Sequence, residues 1–302
     1  LVIDVEENKI IQQVTINGIK KKEIVEILKK RISTKDKNPF IENRILSDVK
    51  LMKKTLKNSG FYFSEITDNI VENNNNTVDV IFNVKLGEKA FIKTIQFIGE
   101  KVYKDRTLRG VIVSEEDRFW KFITKDRFIN PDLINLDKRL LRKFYLNKGH
   151  YQVTVSDSFI EYTDNNYFKL VYNINAGPKF IVNKASMSIP IDYDEKDFLK
   201  VKKELNELAG KHYSVNKLKK IADEVEKLTL RNDYEFLDAS FKEEIVSGNK
   251  INLVFQIKEF PKQYLSKVNI FGNNITEEKV IRDNLIVDEG DPFNKLLLTK
   301  SM

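Results

Sequence analysis

The sequence contains no cysteine and only two histidines, His150 and His212, among 302 residues. Without thiols the chain cannot form disulfides, thiolate metal sites or cysteine nucleophiles. The two histidines are not accompanied by carboxylates at metal-ligand spacing, so we expect no metal site. The sequence also lacks a glycine-rich phosphate loop and a serine–histidine motif. We therefore expect no enzymatic activity, no catalytic residue and no cofactor.

Long apolar runs are missing as well. No stretch approaches the ~20 apolar residues that a transmembrane helix needs, and there is no signal peptide. Residues 1–5 resemble a strand without a beginning, and residues 294–302 resemble the start of an unfinished helix. The net charge of +7 is spread over helices in which Lys and Arg alternate with Asp and Glu. This pattern favours solvated helix faces over a nucleic-acid or lipid site, and we expect a fragment of a longer protein.

One apolar strand pattern occurs four times, beginning at residues 10, 91, 181 and 264. This spacing is longer than the repeat of most solenoids and predicts tandem copies of a small domain. Arrays of this kind usually bind partners, so the repeat favours a binding protein over an enzyme.

Each unit is predicted to fold as strand–helix–helix–strand–strand. In the first unit the strands are expected near 10–16, 61–67 and 77–86, and the first helix at 21–32. Apolar residues three and four positions apart predict the buried faces of the second helices. These faces are Ile45, Val49, Met52 and Leu56, then Leu133, Leu136, Leu140 and Phe144, then Leu218, Ile221, Val225 and Leu228. Asn130 and Ser214 are the predicted N-caps of two of these helices.

The second helices end at Gly60 and Gly149, each followed by aromatic residues, and the closing strands run into Gly-Glu-Lys at 87–89 or Gly-Pro-Lys at 177–179. Together with the order of elements and the stretches 119–128 and 288–294, these motifs resemble the POTRA domains of the Omp85 superfamily. The resemblance covers the whole chain. It implies an α+β fold of tandem modules, each with a three-stranded mixed sheet and two helices on one face, arranged as an elongated rod.

The resemblance also implies domain boundaries. Residues 1–8 would be the last strand of a truncated domain 1, and residues 9–89, 90–179 and 180–262 would be domains 2, 3 and 4. Residues 263–302 would be the first half of domain 5, with a membrane barrel following beyond them.

A three-stranded sheet has two edges, and an edge can accept another extended chain by β-augmentation. The resemblance implies that the second strand of each unit, near 61–67, 151–156 and 234–239, is the open edge that captures unfolded outer-membrane polypeptide. The predicted client-binding residues are Phe61, Tyr62, Phe63, Tyr151, Val153, Tyr234 and Phe236. The alternative is that these side chains pack on the protein's own core.

Two further sites are predicted. Trp120 and Phe122 lie in a cationic, aromatic insertion that would contact a membrane or a partner, with local packing as the alternative. By resemblance, Glu289 with Gly290 would dock an accessory lipoprotein of the BamD type near domain 5. The alternative for Glu289 is an ordinary loop carboxylate.

The resemblance implies a non-enzymatic scaffold on the periplasmic face of the bacterial outer membrane. Its expected partners are unfolded outer-membrane β-barrel precursors, periplasmic chaperones and BAM lipoproteins, with the membrane nearby through the barrel and no nucleic acid. An autotransporter-assembly, secretion or organelle-import homologue is the alternative within the superfamily. A tandem array of RNA-binding α/β modules is the alternative from another class.

Overall fold

The computed structural model describes residues 8–73, 75–118, 127–163, 166–191, 193–228, 237–259, 263–270, 277–285 and 287–291. The chain divides into two compact units, which are larger than the single repeats predicted from the sequence; each repeat, one strand–helix–helix–strand–strand set, is called a module. The first unit comprises Leu1–Arg142 with Thr154–Asn175, and the second comprises Lys143–Val153 with Ala176–Met302.

The first unit holds two successive sets of elements. They are β1 (Ile10–Asn17), α1 (Lys22–Arg31), α2 (Glu42–Asn58), β2 (Glu65–Glu72) and β3 (Thr77–Lys85), then β4 (Phe91–Ile98), α3 (Asp105–Arg109), α4 (Pro131–Asn147), β5 (Thr154–Tyr162) and β6 (Tyr167–Asn175). The last residues of α4, from Lys143 onward, are assigned to the second unit.

The second unit repeats the set once and adds a short helix, and residues 265–270 of the fourth predicted strand do not form a strand. Its elements are β7 (Ile181–Ser188), a 3₁₀ turn (Glu195–Phe198), α5 (Leu199–Asn206), α6 (Val215–Leu228), β8 (Leu237–Val246), β9 (Lys250–Glu259) and α7 (Glu278–Arg282). In the described part of the chain, no helix combines the length and apolarity that crossing a bilayer requires.

The strands of the described ranges form three separate three-stranded sheets, with the strand orders β1-β3-β2, β4-β6-β5 and β7-β9-β8. In each sheet the last strand of the set is central. It pairs parallel with the first strand and antiparallel with the second. This confirms the predicted α+β fold with mixed sheets, because a parallel pair needs the intervening helices as a crossover connection.

The central strands carry the core. Their alternating apolar residues are buried against the helices, as the period of two predicts. The buried sets are Val78, Val80, Phe82 and Val84 in β3, Phe168, Leu170, Tyr172 and Ile174 in β6, and Ile251, Leu253, Phe255 and Ile257 in β9.

The predicted buried face of α4 is wrong by one position. Leu133, Leu136, Leu140 and Phe144 are only half-buried, and the buried face contains Ile134, Asp137, Leu141 and Tyr145. The fully buried Asp137 accepts hydrogen bonds from the Val113 backbone N–H at 2.6 Å and from the Tyr172 hydroxyl at 2.5 Å. A carboxylate on the inner face conceals the apolar stripe from a search for hydrophobic spacing.

Asp48 holds the same place in α2 that Asp137 holds in α4, ten residues before the last helical residue. Its carboxylate accepts hydrogen bonds from the backbone N–H groups of Ser33, at 2.9 Å, and Thr34, at 2.7 Å. Burial raises the pKa of Asp48, but these hydrogen bonds outweigh burial and leave the pKa below its usual value. Both carboxylates therefore tie the second helix of a set to the loop that follows the first helix.

Two of the second strands begin later than predicted. β2 starts at Glu65 and β5 at Thr154, and not at residues 61 and 151. For β8, described from Leu237, the predicted start near 234 lies outside the described residues. Residues 61–64 and 151–153 instead form turns, closed by hydrogen bonds from Ser64 N to Phe61 O and from Val153 N to His150 O. The aromatic residues that follow α2 and α4 therefore belong to these turns and not to the strands.

Candidate binding edges

One edge of every sheet is closed by the chain itself. Ile11 exchanges backbone hydrogen bonds with residues 37 and 38, Ile92 with residues 117 and 127, and Val182 with residues 210 and 211, at 2.7 to 2.9 Å. At the irregularity in the parallel pairing, the Asp36 carboxylate accepts from Val14 N at 2.8 Å and the Glu116 carboxylate accepts from Ile95 N at 3.0 Å. The outer edges of β1, β4 and β7 are thus partly occupied before any partner arrives.

The opposite edge is open. Within the described ranges, no backbone hydrogen bond joins β2, β5 or β8 to anything except its own central strand and hairpin. Asn73 N donates to Thr77 O at 2.9 Å. Because hydrogen-bonded and non-hydrogen-bonded pairs alternate along an antiparallel ladder, this bond fixes which residues of β2 direct their backbone groups outward. The backbone groups of Ile66, Asp68, Ile70 and Glu72 consequently point away from β3.

The same reasoning applies to the other two sheets. Thr163 N donates to Tyr167 O, and Ile181 N donates to Asn249 O. With the strand registers, these bonds direct the backbone groups of Val155 in β5 and Ile245 in β8 outward. Each module therefore presents a row of free N–H and C=O groups of the kind that accepts an extended strand.

The three open edges differ in regularity. β2 forms eight consecutive pairs with β3, and β8 forms ten with β9. The pairing of β5 with β6 shifts between Ser156 and Phe159. A bulge bends a strand and interrupts its edge, so β2 and β8 offer longer uninterrupted templates than β5.

The aromatic residues predicted to bind clients in the first module pack against the next module. The rings of Tyr62 and Phe63 each lie 5.7 Å from the ring of Phe168, and Phe63 lies 6.0 Å from Tyr162. Phe61 joins the core of the first module. The structure therefore places Phe61, Tyr62 and Phe63 in intramolecular contacts just before β2, and not along it.

Tyr151 and Val153 are placed in a comparable way. The ring of Tyr151 lies 4.9 Å from Tyr213 and 5.6 Å from Phe180, and its hydroxyl donates to Glu243 at 2.7 Å. Val153 is buried. The remaining predicted client residues, Tyr234 and Phe236, lie outside the described residues.

Two joints repeat one backbone scheme. A joint is the place where the end of one module contacts the start of the next. The first joint consists of residues 58–63 with residues 89–90 and 128–132. The second joint consists of residues 147–151 with residues 177–180 and 212–216. Gly60 O accepts from Ala90 N at 2.9 Å in the first, and Gly149 O accepts from Phe180 N at 2.8 Å in the second. Ala90 O and Phe180 O then accept from Ile129 N and Tyr213 N, each at 3.0 Å.

The helices that start at the joints are capped differently. Asn130 caps α4 as predicted, with its Oδ1 accepting from Asp132 N at 3.0 Å. Ser214 stands at the predicted N-cap position of α6, where its backbone carbonyl accepts from Leu218 N at 3.2 Å, but its hydroxyl acts as a donor. The Ser214 hydroxyl donates to Asn147 Oδ1 at 3.1 Å, and that same oxygen accepts from Asn216 N at 2.8 Å. The side-chain cap of α6 thus comes from Asn147, at the end of the preceding helix. The sequence signal for it was the asparagine that stands two residues before the glycine at both helix ends, at Asn58 and Asn147.

Of the two further predicted sites, only one can be located. Glu289 Oε1 accepts from Val268 N at 3.2 Å and lies 3.4 Å from Arg282 Nη1, while Gly290 N donates to Leu265 O at 2.7 Å. Glu289 therefore holds its own loop in place while remaining exposed. Trp120 and Phe122 lie outside the described residues.

His150 takes a structural position, and His212 is exposed. His150 is buried, its Nδ1 lies 2.9 Å from Gly177 O, and its ring meets that of Tyr145. Across the part of the chain that the structure describes, no group of three or more histidines and carboxylates is placed to hold a metal ion.

The three described sheets share one mixed topology, and each has one closed and one open edge, which defines a class of repeated α+β modules. Residues 9–87 and 90–177 match the POTRA family model, described as "Surface antigen variable number repeat". These matches span more than half of the chain, and the chain belongs to the POTRA family.

The chain is also similar to curated proteins named outer membrane protein assembly factor BamA. It is 24% identical to the one from Neorickettsia risticii over 97% of this chain and 39% of that protein. It is 25% identical to the one from Neisseria meningitidis over 78% of this chain and 30% of that protein. The chain thus spans well under half of the length of these relatives.

A solved structure supports the fold independently. The chain resembles the POTRA3-5 crystal structure of Haemophilus influenzae BamA with a TM-score of 0.53 and 13% identity. The match covers 83% of this chain and 96% of that one. At this identity the likeness concerns the fold.

Proposed function

We propose that this chain is the periplasmic receptor region of an outer-membrane β-barrel assembly factor. In this proposal it binds unfolded barrel precursors by β-augmentation at β2, β5 and β8, and it works without enzymatic activity. The similarity to BamA proteins along nearly the whole chain suggests the process. The modules would receive clients from periplasmic chaperones and pass them toward a barrel in the outer membrane.

The observation that carries the proposal is the repeated asymmetry of the sheets. In every described module the first strand is tied to a loop, whereas the second strand leaves its outward backbone groups free. Backbone pairing reads no particular side chains, which suits a receptor with many clients. In the first two modules Tyr62, Phe63 and Tyr151 contact aromatic rings of the next module, so the proposal assigns client contact to the strand backbone.

The test removes outward N–H groups without touching the hairpin ladder. Asp68→Pro, Val155→Pro and Ile245→Pro, combined in one chain, each remove a donor that faces away from the central strand. The matched control, Asp68→Asn with Val155→Ala and Ile245→Ala, changes the same positions but keeps every N–H. We expect the proline variant to lose about fivefold or more in crosslinking to a urea-unfolded barrel protein, since each backbone hydrogen bond contributes about 1 kcal/mol.

Both variants should retain the circular dichroism spectrum of the unmodified chain. Undiminished crosslinking of a folded proline variant would refute capture at these edges. A loss shared equally by the control would show that side chains, and not the backbone, make the contact.

Docking of an accessory lipoprotein at Glu289 and Gly290 belongs to the same proposal. Because Glu289 accepts a hydrogen bond from Val268 N, its replacement by Gln preserves an acceptor while removing the charge. If docking depends on the Glu289 charge, Glu289→Gln should weaken binding of the lipoprotein in a pull-down and leave client crosslinking unchanged.

A further inference from the structure

The open edge strands are acidic in a chain that is basic overall. β2 contains Glu65, Asp68 and Glu72 and no cation, while the chain carries a net charge of +7. β5 contains two acidic residues and no basic one, and β8 contains three acidic residues and one lysine. The closed strands β1, β4 and β7 contain no acidic residue at all. Negative charge therefore follows the open edge in all three sheets.

The carboxylates of β2 are accessible. The side chains of Glu65 and Glu72 are 71% and 72% exposed, although they lie 3.5 Å from Lys85 Nζ and 2.6 Å from Lys9 Nζ. Surface pairs of this kind contribute little and exchange readily with solvent. Asp68 is exposed and makes no ion pair with any described residue.

The edge of β8 also carries accessible carboxylate, but less than β2 does. Glu244 is exposed. Glu243 is occupied, because its carboxylate accepts from the hydroxyls of Tyr151 and Tyr213 at 2.7 and 2.8 Å. Of these two carboxylates, Glu244 is therefore the one that a visiting strand can reach.

A strand added to such an edge brings its side chains directly opposite those of the edge strand. Cross-strand neighbours lie about 4.5–5.5 Å apart between Cβ atoms, so opposite charges stabilise the pairing and like charges oppose it. The side chains of a visiting segment would then be sorted by charge, even though backbone pairing itself is indifferent to sequence.

We propose that the open edges select extended segments that carry lysine or arginine and discriminate against acidic segments. This inference rests on the proposed function of these edges as client sites. It adds a preference for basic segments, which is the opposite of what the positive net charge of the chain favours at long range. A chain with a net charge of +7 attracts acidic peptides at a distance, so a preference for basic segments would have to arise locally.

The test compares three peptides with the same alternating apolar residues. Two polar positions carry Lys in one peptide, Gln in the second and Glu in the third. Binding to the 302-residue chain is measured by fluorescence anisotropy at ~50 mM and ~500 mM salt. We expect the Lys peptide to bind about tenfold more tightly than the Glu peptide at low salt, with the Gln peptide between them. Screening at high salt should shrink this contrast.

The decisive variant is Glu65→Gln with Asp68→Asn and Glu244→Gln. It should reduce the Lys-over-Glu preference to about threefold or less while leaving affinity for the Gln peptide unchanged. The matched control removes three exposed carboxylates elsewhere, with Glu23→Gln, Glu26→Gln and Glu42→Gln on α1 and α2. The control has the same net charge, and it should keep the full preference.

The outcomes separate the two proposals. If the Gln peptide binds but the three peptides bind equally, or if the Glu peptide binds best, charge selection is overturned and the binding edge stands. A preference that survives in the edge variant also overturns it. If none of the three peptides binds, the proposed function fails and the inference fails with it.

Discussion

The first and second joints share a backbone and differ in side chains. Both use a helix-terminating glycine whose carbonyl accepts from the start of the next module. In the first joint, Gly60 faces the ring of Phe128, and Lys89 Nζ lies 4.2 Å from the centre of that ring. In the second, Gly149 faces His212, and Asn147 caps the following helix. The repeat thus preserves the hydrogen bonds of the connection, while the side chains set the stability of each joint separately.

The largest expected effect comes from adding a methyl group at these glycines. Gly60 and Gly149 have φ of +93° and +96°, a conformation that costs an L-residue about 1–2 kcal/mol. A Cβ at Gly60 would lie 2.9 Å from Phe128 Cγ, whereas a Cβ at Gly149 would lie 3.3 Å from His212 Cβ. We expect Gly60→Ala to lower the free energy of unfolding by about 2–3 kcal/mol and Gly149→Ala by about 1–2 kcal/mol.

Urea denaturation measures both changes, and Gly248→Ala is the matched control. Gly248 also has a positive φ, of +74°, but a Cβ there would meet nothing within 4 Å. Its substitution isolates the conformational cost from the contact. The proposed difference between the joints is wrong if Gly60→Ala destabilises the chain no more than Gly248→Ala does.

A smaller difference in stability is expected between substitutions of Asn147, in the second joint, and Asn58, in the first. Asn147 supplies the acceptor for Asn216 N, so Asn147→Ala should cost about 1 kcal/mol and weaken hydrogen-exchange protection in the first turn of α6. Asn58 donates to the Asp132 carboxylate at 2.6 Å, but α4 keeps its own cap from Asn130. Asn58→Ala should therefore cost about 0.5 kcal/mol and leave the first turn of α4 protected.

The controls for the Asn147 and Asn58 substitutions test whether the Ser214 hydroxyl can replace Asn147 as the cap of α6. Ser214→Ala should have little effect alone, because Asn147 Oδ1 still accepts from Asn216 N. In the Asn147→Ala background the Ser214 hydroxyl is free to replace the lost acceptor, so the double variant should be worse than the sum of the single ones. Equal protection of α6 in all these variants would contradict capping across the joint.

The sequence predicted the fold well because the fold depends on local periodicity. The alternation in 78–84 and 251–257 and the helical spacing in 45–56 mark faces that the structure buries. The prediction failed at Asp137, where a buried carboxylate stands on the inner face of α4. Periodicity treats any charged residue as exposed, and only the tertiary hydrogen bonds from Val113 and Tyr172 explain its burial.

The candidate site was harder to predict, because the alternation of apolar residues along a strand does not show which of the two sheet edges the chain itself closes. The structure separates them through contacts over long sequence distances, such as Val14 N with Asp36 and Ile95 N with Glu116. It also shows that Tyr62 and Tyr151 belong to joints, although they stand just before the edge strands. An aromatic residue has similar sequence neighbours whether it meets the next module or a client.

The smallest effect expected from the comparison is a difference in acid sensitivity. The hydrogen bond from Asn58, with help from Lys54, lowers the pKa of Asp132 below its ordinary value of 3.8, although burial opposes the shift. Because the folded-state pKa is depressed, the stabilisation is complete above the unfolded pKa and is lost as the pH falls below about 4. The effect is modest because Asp132 is exposed.

Side-chain amide resonances should report a titration at Asn58 that Asp132→Asn abolishes. Asn147, whose partners among the described residues are the neutral Ser214 and Asn216, should not respond in that range. Parallel titration of both amides would mean that the two joints do not differ in this respect.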